Sequence, residues 1–468
     1  MAKLEPPRDM ASMQTSIRRL AGELRELAGL PPLWWSALYF FCLLTGYYVL
    51  RPVRDAMGAT SEVAAVFPAG VVAWFADRGI ALGEFTLQVL FTLTFIVMLL
   101  LQPAYGALVS RYARRVFLPL VYLFFIACLV GFYFVFDSNL SGRGALFFVW
   151  VAVFNLFAVT VFWSFMSDVF DNVQAKRVYG YIGAAGTIGA VTGPSITRLL
   201  AERIGTAQLL LISAALLGLC LLCIVKLRHW ARLRERERGE CGGQDRAMGG
   251  GILAGIRLAF REPVMRAFAI VMFFGVGVGT LLYNEQAAIA QRFYPDSDAR
   301  TAFYAGIDLA INIVSLTIQL LLTRSLLNRL GVARVLLLPP LAILFGFALL
   351  TASPVPAMVA LVQIVTRAGE FSIGKPARET IYTRVSPELR YKSKAMIDTV
   401  VYRGGDLSFV WLHKLLAMGG STVVFGAGIL TALGMGYGAW RLGRTQAALP
   451  DDTQVAGAGG PAAAAATP

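Results

Sequence analysis

The sequence predicts an all-α membrane protein with about twelve transmembrane helices in two pseudo-repeated six-helix halves. Three observations predict it. Hydrophobic residues fill 57% of the 468 positions and charged residues 15%, where soluble domains carry about 25% charge. The apolar residues fall in repeated runs of about 20, the length at which a helix crosses a bilayer and about twice that of a barrel strand. Basic landmarks also recur at one interval: Arg111 is as far from Arg329 as Lys176 is from Lys394.

Each element has its own justification. Residues 1–32 form a basic cytoplasmic entry in which Ile17, Leu20, Leu24 and Leu27 share one helical face, away from Arg18, Arg19 and Arg25. That pattern suits a helix lying on the inner membrane surface. The first span covers residues 33–54, with Trp34 and Trp35 as interface anchors. In the long connection that follows, Pro68, Gly70, Asp77 and Arg78 break residues 63–75; a re-entrant piece and an extra helix both stay open. Spans 2–6 fall at 85–108, 116–136, 145–166, 179–200 and 207–226. The fifth is rich in small residues (Gly183, Ala184, Ala185, Gly186, Gly189, Ala190, Gly193), which permit close backbone approach.

Residues 227–251 read as a charged cytoplasmic linker between the N-terminal half (33–226) and the C-terminal half (252–441). Spans 7–12 fall at 264–291, 302–323, 333–351, 355–376, 394–415 and 420–440, and residues 442–468 form a disordered tail. Lys and Arg concentrate at both termini and in alternate connections, which predicts cytoplasmic termini in a bacterial inner membrane. The net charge of +14 is accounted for by these loops beside anionic lipid, so no nucleic-acid partner is expected. Cys220 and Cys223 form a CxxC inside an apolar span and read as buried hydrophobes. His229 and His413 lie far apart and suggest no metal. No P-loop, GxSxG, HExxH or cleavable leader is visible, so neither enzyme nor cofactor is expected.

The chain is organised around Tyr47-Tyr48-Val49-Leu50-Arg51-Pro52-Val53-Arg54-Asp55, at the end of the first span. Arg51, Arg54 and Asp55 are three and four residues apart and share a helical face. Two readings stand: arginines ending the span at the headgroups, or a cation pair held by Asp55 and aimed at an anion. Other polar groups fall inside spans. Span 7 carries Glu285, which with Asp308 is a candidate for proton coupling or for a partner of Arg54 across the cavity. Span 8 carries Asp308, Asn312, Ser315 and Gln319 as a stripe that reads as cavity lining. Span 10 carries Arg367 and Glu370, and span 11 carries Asp398, Arg403 and Asp406. The spacings Arg367–Glu370 and Arg403–Asp406 also suit structural ion pairs. Lys176, Arg177, Lys392, Lys394 and Asp398 flank two related cytoplasmic turns and read either as ordinary inside charge or as an inner gate.

The turn Gly106-Ala107-Leu108-Val109-Ser110-Arg111-Tyr112-Ala113-Arg114-Arg115 resembles the loop 2–3 signature of the major facilitator superfamily, with Ser110 in place of its aspartate. More narrowly, Leu50-Arg51-Pro52-Val53-Arg54-Asp55 resembles the first-span motif of the nucleotide (ATP/ADP) transporters of plastids and intracellular bacteria. So do Phe162-Trp163-Ser164-Phe165 with Gln174 to Tyr179, and Lys392 to Val400. The resemblance implies an antiporter whose membrane-embedded lysines and glutamates act in transport. The first lysine corresponds to Arg54, the late one to Lys394 or Lys392, and the span 7 glutamate to Glu285. The span 4 glutamate falls among the uncharged Trp150–Ala152.

The function expected is a secondary transporter, monomeric and lipid-embedded, that moves a small organic anion such as a nucleotide by alternating access. An exporter or flippase of an amphipathic compound is the alternative, on the aromatic content of Trp150, Phe154, Phe157, Phe162 and Trp163. A non-transporting scaffold or sensor is the reading from another class.

Overall fold

The computed structural model describes residues 31–60, 62–111, 114–138, 140–170, 172–237, 261–352, 355–385 and 397–448. Among them all regular structure is helical. The helices are α1 (Pro31–Gly58), α2 (Val63–Val66), α3 (Ala69–Ala76), α4 (Thr86–Arg111), α5 (Arg114–Asp137), α6 (Arg143–Val169), α7 (Asn172–Ile204) and α8 (Thr206–Glu237). After residues 238–260 come α9 (Pro263–Phe293), α10 (Ser297–Ile318), α11 (Arg324–Val335), α12 (Leu338–Ala352), α13 (Pro356–Gly369), α14 (Lys375–Thr383), α15 (Tyr402–Ala417) and α16 (Ser421–Thr445). Nine stretches of the described helices are long and apolar enough to cross a membrane. Helices α7, α12 and α15 complete a bundle consistent with the expected number.

Backbone satisfaction explains why helices serve here, since hydrocarbon offers no other partner for N–H and C=O groups. Chain breaks fall where glycine is needed. Gly142, Gly205, Gly331 and Gly420 have positive φ between helices or at a helix break, a conformation that costs other residues a Cβ clash. Gly331 separates the rod of α10–α11 from the turn into α12.

Helix α1 packs mainly on α7 and α8, and α6 also lies against it. The small-residue face is what permits this. A Cβ on Gly189 would lie 2.5 Å from the Phe41 carbonyl, and one on Gly193 2.7 Å from that of Thr45. Gly183 has no such neighbour and is not part of the contact. One core fills the N-terminal helices and is largely aromatic, with Phe40 stacked on Phe162 at 4.4 Å and Trp150 on Phe154 at 5.4 Å. The C-terminal helices hold two smaller cores. Between the two sets, α7 packs on α10 and α4 on α15, while α10 also reaches α1.

One open question closes and one boundary differs from expectation. Residues 63–76 form two short helices, α2 and α3, and neither crosses the bundle. The expected linker at 227–251 is helical through Glu237; its run of Arg and Glu has good helix propensity, which a charge-based boundary ignores. The amphipathic entry at residues 1–30 and the tail from residue 449 lie outside the described residues.

Among the described residues three π turns interrupt the C-terminal helices, at Gln319–Thr323, Glu370–Gly374 and Ile397–Val401. Each inserts a residue and leaves carbonyls without their helical donors. Side chains of the first turn serve carbonyls of the second. Gln319 Nε2 donates to the Phe371 carbonyl at 3.1 Å, and Thr323 Oγ1 to the Ser372 carbonyl at 2.7 Å.

Candidate substrate site and gate

The first-span charges are in the interior. Asp55 is 3% exposed. It accepts hydrogen bonds from Arg54 Nε (2.9 Å) and Nη2 (2.6 Å), and from Tyr283 Oη of α9 (3.1 Å). Arg54 also lies over the Phe148 ring, 5.2 Å from its centroid. Arg51 is held differently. Its Nη1 is 3.5 Å from Asp308 Oδ1 on α10, and its Nε is 3.9 Å from Asp55 Oδ2. These are charge contacts too long for good hydrogen bonds. Most of the five donors of this guanidinium are therefore uncommitted among the described residues. The other carboxylate oxygen of Asp308, Oδ2, is buried without a partner among the described residues. Pro52 adds a further polar atom, because it supplies no N–H to the Tyr48 carbonyl. Both expected readings of the first-span arginines are thus narrowed: these are not headgroup charges but a cluster joining α1 to α9 and α10.

The remaining predicted residues divide. Arg403 Nη1 lies 3.5 Å from Asp406 Oδ2, and Asp406 Oδ1 accepts from Thr280 Oγ1 at 2.9 Å. The expected pairing of Arg367 with Glu370 is not found. Glu370 instead pairs with Arg378, through both guanidinium Nη atoms. The reason is the π turn between them: two regular turns span about seven residues, and the inserted residue brings the eighth over Glu370. The span 8 stripe is also not a uniform cavity wall. Asp308 meets Arg51, but Asn312 Nδ2 donates to the Ala190 carbonyl of α7 at 2.7 Å, and Gln319 serves the π turn. Ser315 Oγ is buried without a partner among the described residues.

Glu285 was expected to couple protons or to partner Arg54 across the cavity. It is buried against His413 of α15, with Oε1 2.9 Å from Nε2. Sequence reasoning set His413 aside because two distant histidines make no metal site. The signal for it was a lone ionisable side chain in an apolar span facing another in span 7. Of the expected inner gate, Lys176 and Arg177 lie within the first turns of α7, and Asp398 within the third π turn. Their side chains, and all of Lys392 and Lys394, lie outside the described residues. The aromatic residues behind the amphipathic-cargo reading are core: Phe154 and Phe162 are fully buried, and Trp150 and Trp163 pack on them.

A second set of contacts, missed from sequence, closes one end of the bundle, where α1 and α15 finish and α4, α8 and α10 begin. Arg300, 2% exposed, donates through Nε to the Ala56 carbonyl (3.1 Å) and through Nη1 to the Tyr294 and Pro295 carbonyls. Asp298 accepts from the Thr206 amide (3.0 Å) and hydroxyl, capping α8. Gln88 Nε2 donates to the Val410 carbonyl (3.2 Å), Trp411 Nε1 to Thr92 Oγ1 (3.1 Å), and Lys414 Nζ to Glu84 Oε2 (3.2 Å). Apart from the two Arg300 Nη1 contacts, which stay within the later set, each of these contacts joins a residue before 238 to one after 260. An open groove of about 450 Å3, lined by Val63, Val72, Ile80, Glu84 and Gln291 among others, lies at this end and not beside the arginines.

Comparison with known proteins bears on the fold. The chain resembles an auto-inhibited POT family peptide transporter (TM-score 0.58, 14% identity, 90% of this chain and 98% of the other). It also resembles a bacterial homologue of the iron transporter ferroportin (TM-score 0.58, 11% identity, 88% and 99%) and the nucleoside transporter NupG (TM-score 0.52, 16% identity, 88% and 98%). No curated protein matches the sequence. The profile of the Major Facilitator Superfamily matches residues 73–396. That is more than half of the chain, and with the helical bundle and its inter-set contacts it places this protein in the Major Facilitator Superfamily.

Proposed function

We propose that this protein is a secondary transporter of a small organic anion, with Arg51 and Arg54 as the anion's main contacts and alternating access as the mechanism. The single observation that carries the reading is the state of Arg51. Its guanidinium sits in the interior, shared at 3.5 and 3.9 Å between two carboxylates. A charge taken from water at that depth is costly unless paired. A phosphate or carboxylate approaching within about 2.8 Å offers it the bidentate geometry that neither aspartate provides. Asp55 and Asp308 hold the site together when it is empty and give way to cargo.

The mechanism follows from where the contacts lie. The helices before residue 238 and those after residue 260 act as two halves that rock about the charged cluster. With both termini cytoplasmic, the closed end faces outward, and the described state is closed to the outside. Cargo carrying negative charge attracts Arg51 and loosens its tie to Asp308 on the other half. No bond is made or broken. The resemblance of Leu50–Asp55 to nucleotide transporters supports a phosphorylated cargo, although arginine replaces the family's lysine at position 54. The core position of the aromatic residues weighs against an amphipathic cargo.

The test is a thermal-shift panel on purified protein in detergent, using nucleotides, other phosphorylated metabolites, dicarboxylates and lipid headgroups, with Arg51→Ala and Arg54→Ala beside the wild type. A ligand at about 100 times its dissociation constant stabilises the folded state by about 2.7 kcal/mol. Stabilisation by one anionic class, lost in both variants, supports the reading, and liposome uptake of that compound follows. Stabilisation by headgroups alone, or by no anion, overturns it.

A further inference from the structure

Glu285 and His413 are not needed by the substrate site just described, and burying an ionisable pair in a membrane bundle is costly. Glu285 is 6% and His413 8% exposed. Nε2 of the imidazole faces Glu285 Oε1 at 2.9 Å, while Nδ1 is buried with no partner among the described residues. The side-chain amide oxygen of the neighbouring Gln286, Oε1, is likewise buried without one among the described residues. A structural pair alone leaves that second ring nitrogen unexplained, since an orienting histidine ordinarily has both nitrogens engaged.

Position gives the pair a use. Two residues before Glu285 on α9, Tyr283 donates to Asp55 in the arginine cluster. One residue after His413 on α15, Lys414 reaches Glu84, and one turn earlier Trp411 and Val410 hold Thr92 and Gln88. The pair therefore links the helix that touches the substrate site to the helix that carries much of the closed end. Few other charges act on it. Asp406, Arg403 and Lys414 lie on α15 itself. Helix α9 adds Arg292. Helix α1 presents Arg54 and Asp55, α10 presents Tyr304, Asp308 and Arg300, and Glu84 precedes α4. Helix α12 has no ionisable residue, α13 has Arg367 in its last turn, and α16 has none before Tyr437.

We propose that Glu285 and His413 form a proton-binding site whose occupancy sets the strength of the closed end, which makes the coupling ion a proton. The inference rests on the alternating-access reading above. In the unloaded state Nε2–H donates to the Glu285 carboxylate and Nδ1 is bare. Loading adds one proton from water to Nδ1, giving an imidazolium that still faces Glu285; release returns that proton to water on the other side. No other reactant is required. The added charge changes the attraction between α9 and α15, and so the seating of α15 against α4.

The chain has two histidines, so the site is directly observable. In a His229→Gln background, 15N NMR of labelled imidazole follows His413 in the purified full-length protein. The proposal expects Nδ1 to gain a proton as the pH is lowered while Nε2 stays protonated. Pulsed EPR between spin labels at Ile80→Cys and Met418→Cys, both exposed, reports the closed end, with Cys128 and Cys241 replaced by Ser. Its distance distribution is expected to shift together with that protonation, and the shift is expected to be lost in Glu285→Gln and His413→Gln. Glu285→Gln keeps an acceptor for Nε2–H, so folding is retained. A single imidazole state throughout overturns the proton site whatever the cargo. A distance shift that persists in both variants overturns the coupling. A failed anion panel with a titrating Nδ1 overturns the cargo reading and leaves the site standing.

Discussion

Replacing Asp55 by Asn isolates the electrostatics of the central cluster. The side chain keeps its volume and one carbonyl oxygen, and loses its charge. In the wild type that charge is 3% exposed and receives two hydrogen bonds from Arg54 and one from Tyr283, with Arg51 within 4 Å. Removing one partner of a buried pair costs about 3–5 kcal/mol, because the other charge stays behind uncompensated. Here two guanidinium groups stay behind, so the upper part of that range applies. An internal control is Glu84→Gln, which breaks the Lys414 contact on a side chain 66% exposed; exposed pairs are worth about 0–1 kcal/mol. The assay is reversible unfolding in mixed micelles, followed by tryptophan fluorescence. A second expectation separates holding from binding. Asp55 competes with cargo for the arginines, so pyrophosphate is expected to stabilise Asp55→Asn more than the wild type. If Asp55→Asn costs no more than Glu84→Gln, the cluster is solvated and the reasoning about Arg51 fails with it.

Other outcomes follow from the same geometry. Gly189→Ala places a methyl group 2.5 Å from a backbone carbonyl and is expected to cost about 1–3 kcal/mol as overpacking, whereas Gly183→Ala meets nothing and is expected to be neutral; unfolding midpoints compare them. Arg378→Ala, which strands Glu370, is expected to lower stability by about 3 kcal/mol, whereas Arg367→Ala leaves the unfolding midpoint within about 1 kcal/mol of wild type. Arg300→Lys replaces a fork serving three carbonyls with one ammonium. It is expected to raise the maleimide labelling rate of Ala59→Cys, at a position 4% exposed, by tenfold or more. Cys220 and Cys223, buried, are expected to resist alkylation in the folded protein; their modification would place the CxxC on an accessible surface.

The sequence made the periodic features legible and hid those that depend on tertiary contact. Arg51, Arg54 and Asp55 could be grouped because a helix brings the residues three and four on back to one face. The glycines of α7 could be read as a packing surface for a similar reason, although the outlying Gly183 could not be told from Gly186. Hydropathy found the spans, yet it placed a linker where α8 continues to Glu237, because charge alone says where a helix leaves the membrane and not where it ends. The pairing of Glu370 with Arg378 was out of reach, since a π turn changes the register and leaves no mark in composition. The closed end was hidden most completely. Arg300, Asp298, Gln88 and Thr92 look like ordinary polar residues near span ends, and their partners lie across the seam between the two sets of helices.

The strength of that closed end fits the transport proposed. Two contacts are neutral hydrogen bonds, Gln88 to Val410 and Trp411 to Thr92, each worth about 1 kcal/mol net. Two involve a charged group, Arg300 to Ala56 and Asp298 to Thr206, each worth about 1.5–3 kcal/mol. The exposed Lys414–Glu84 pair adds little. Together they hold the closed state by about 5–8 kcal/mol. Moving an equilibrium from 1:99 to 99:1 takes about 5.5 kcal/mol of differential binding, so a much stronger seal would trap the protein and a much weaker one would leak. Cargo acting on Arg51 and a proton acting on His413 each enter through a helix that spans the seam, α1 through Asp308 of α10 and α15 through Gln88 and Thr92 of α4. Neither ligand has to supply the whole difference, and the closed end responds most strongly when both are bound.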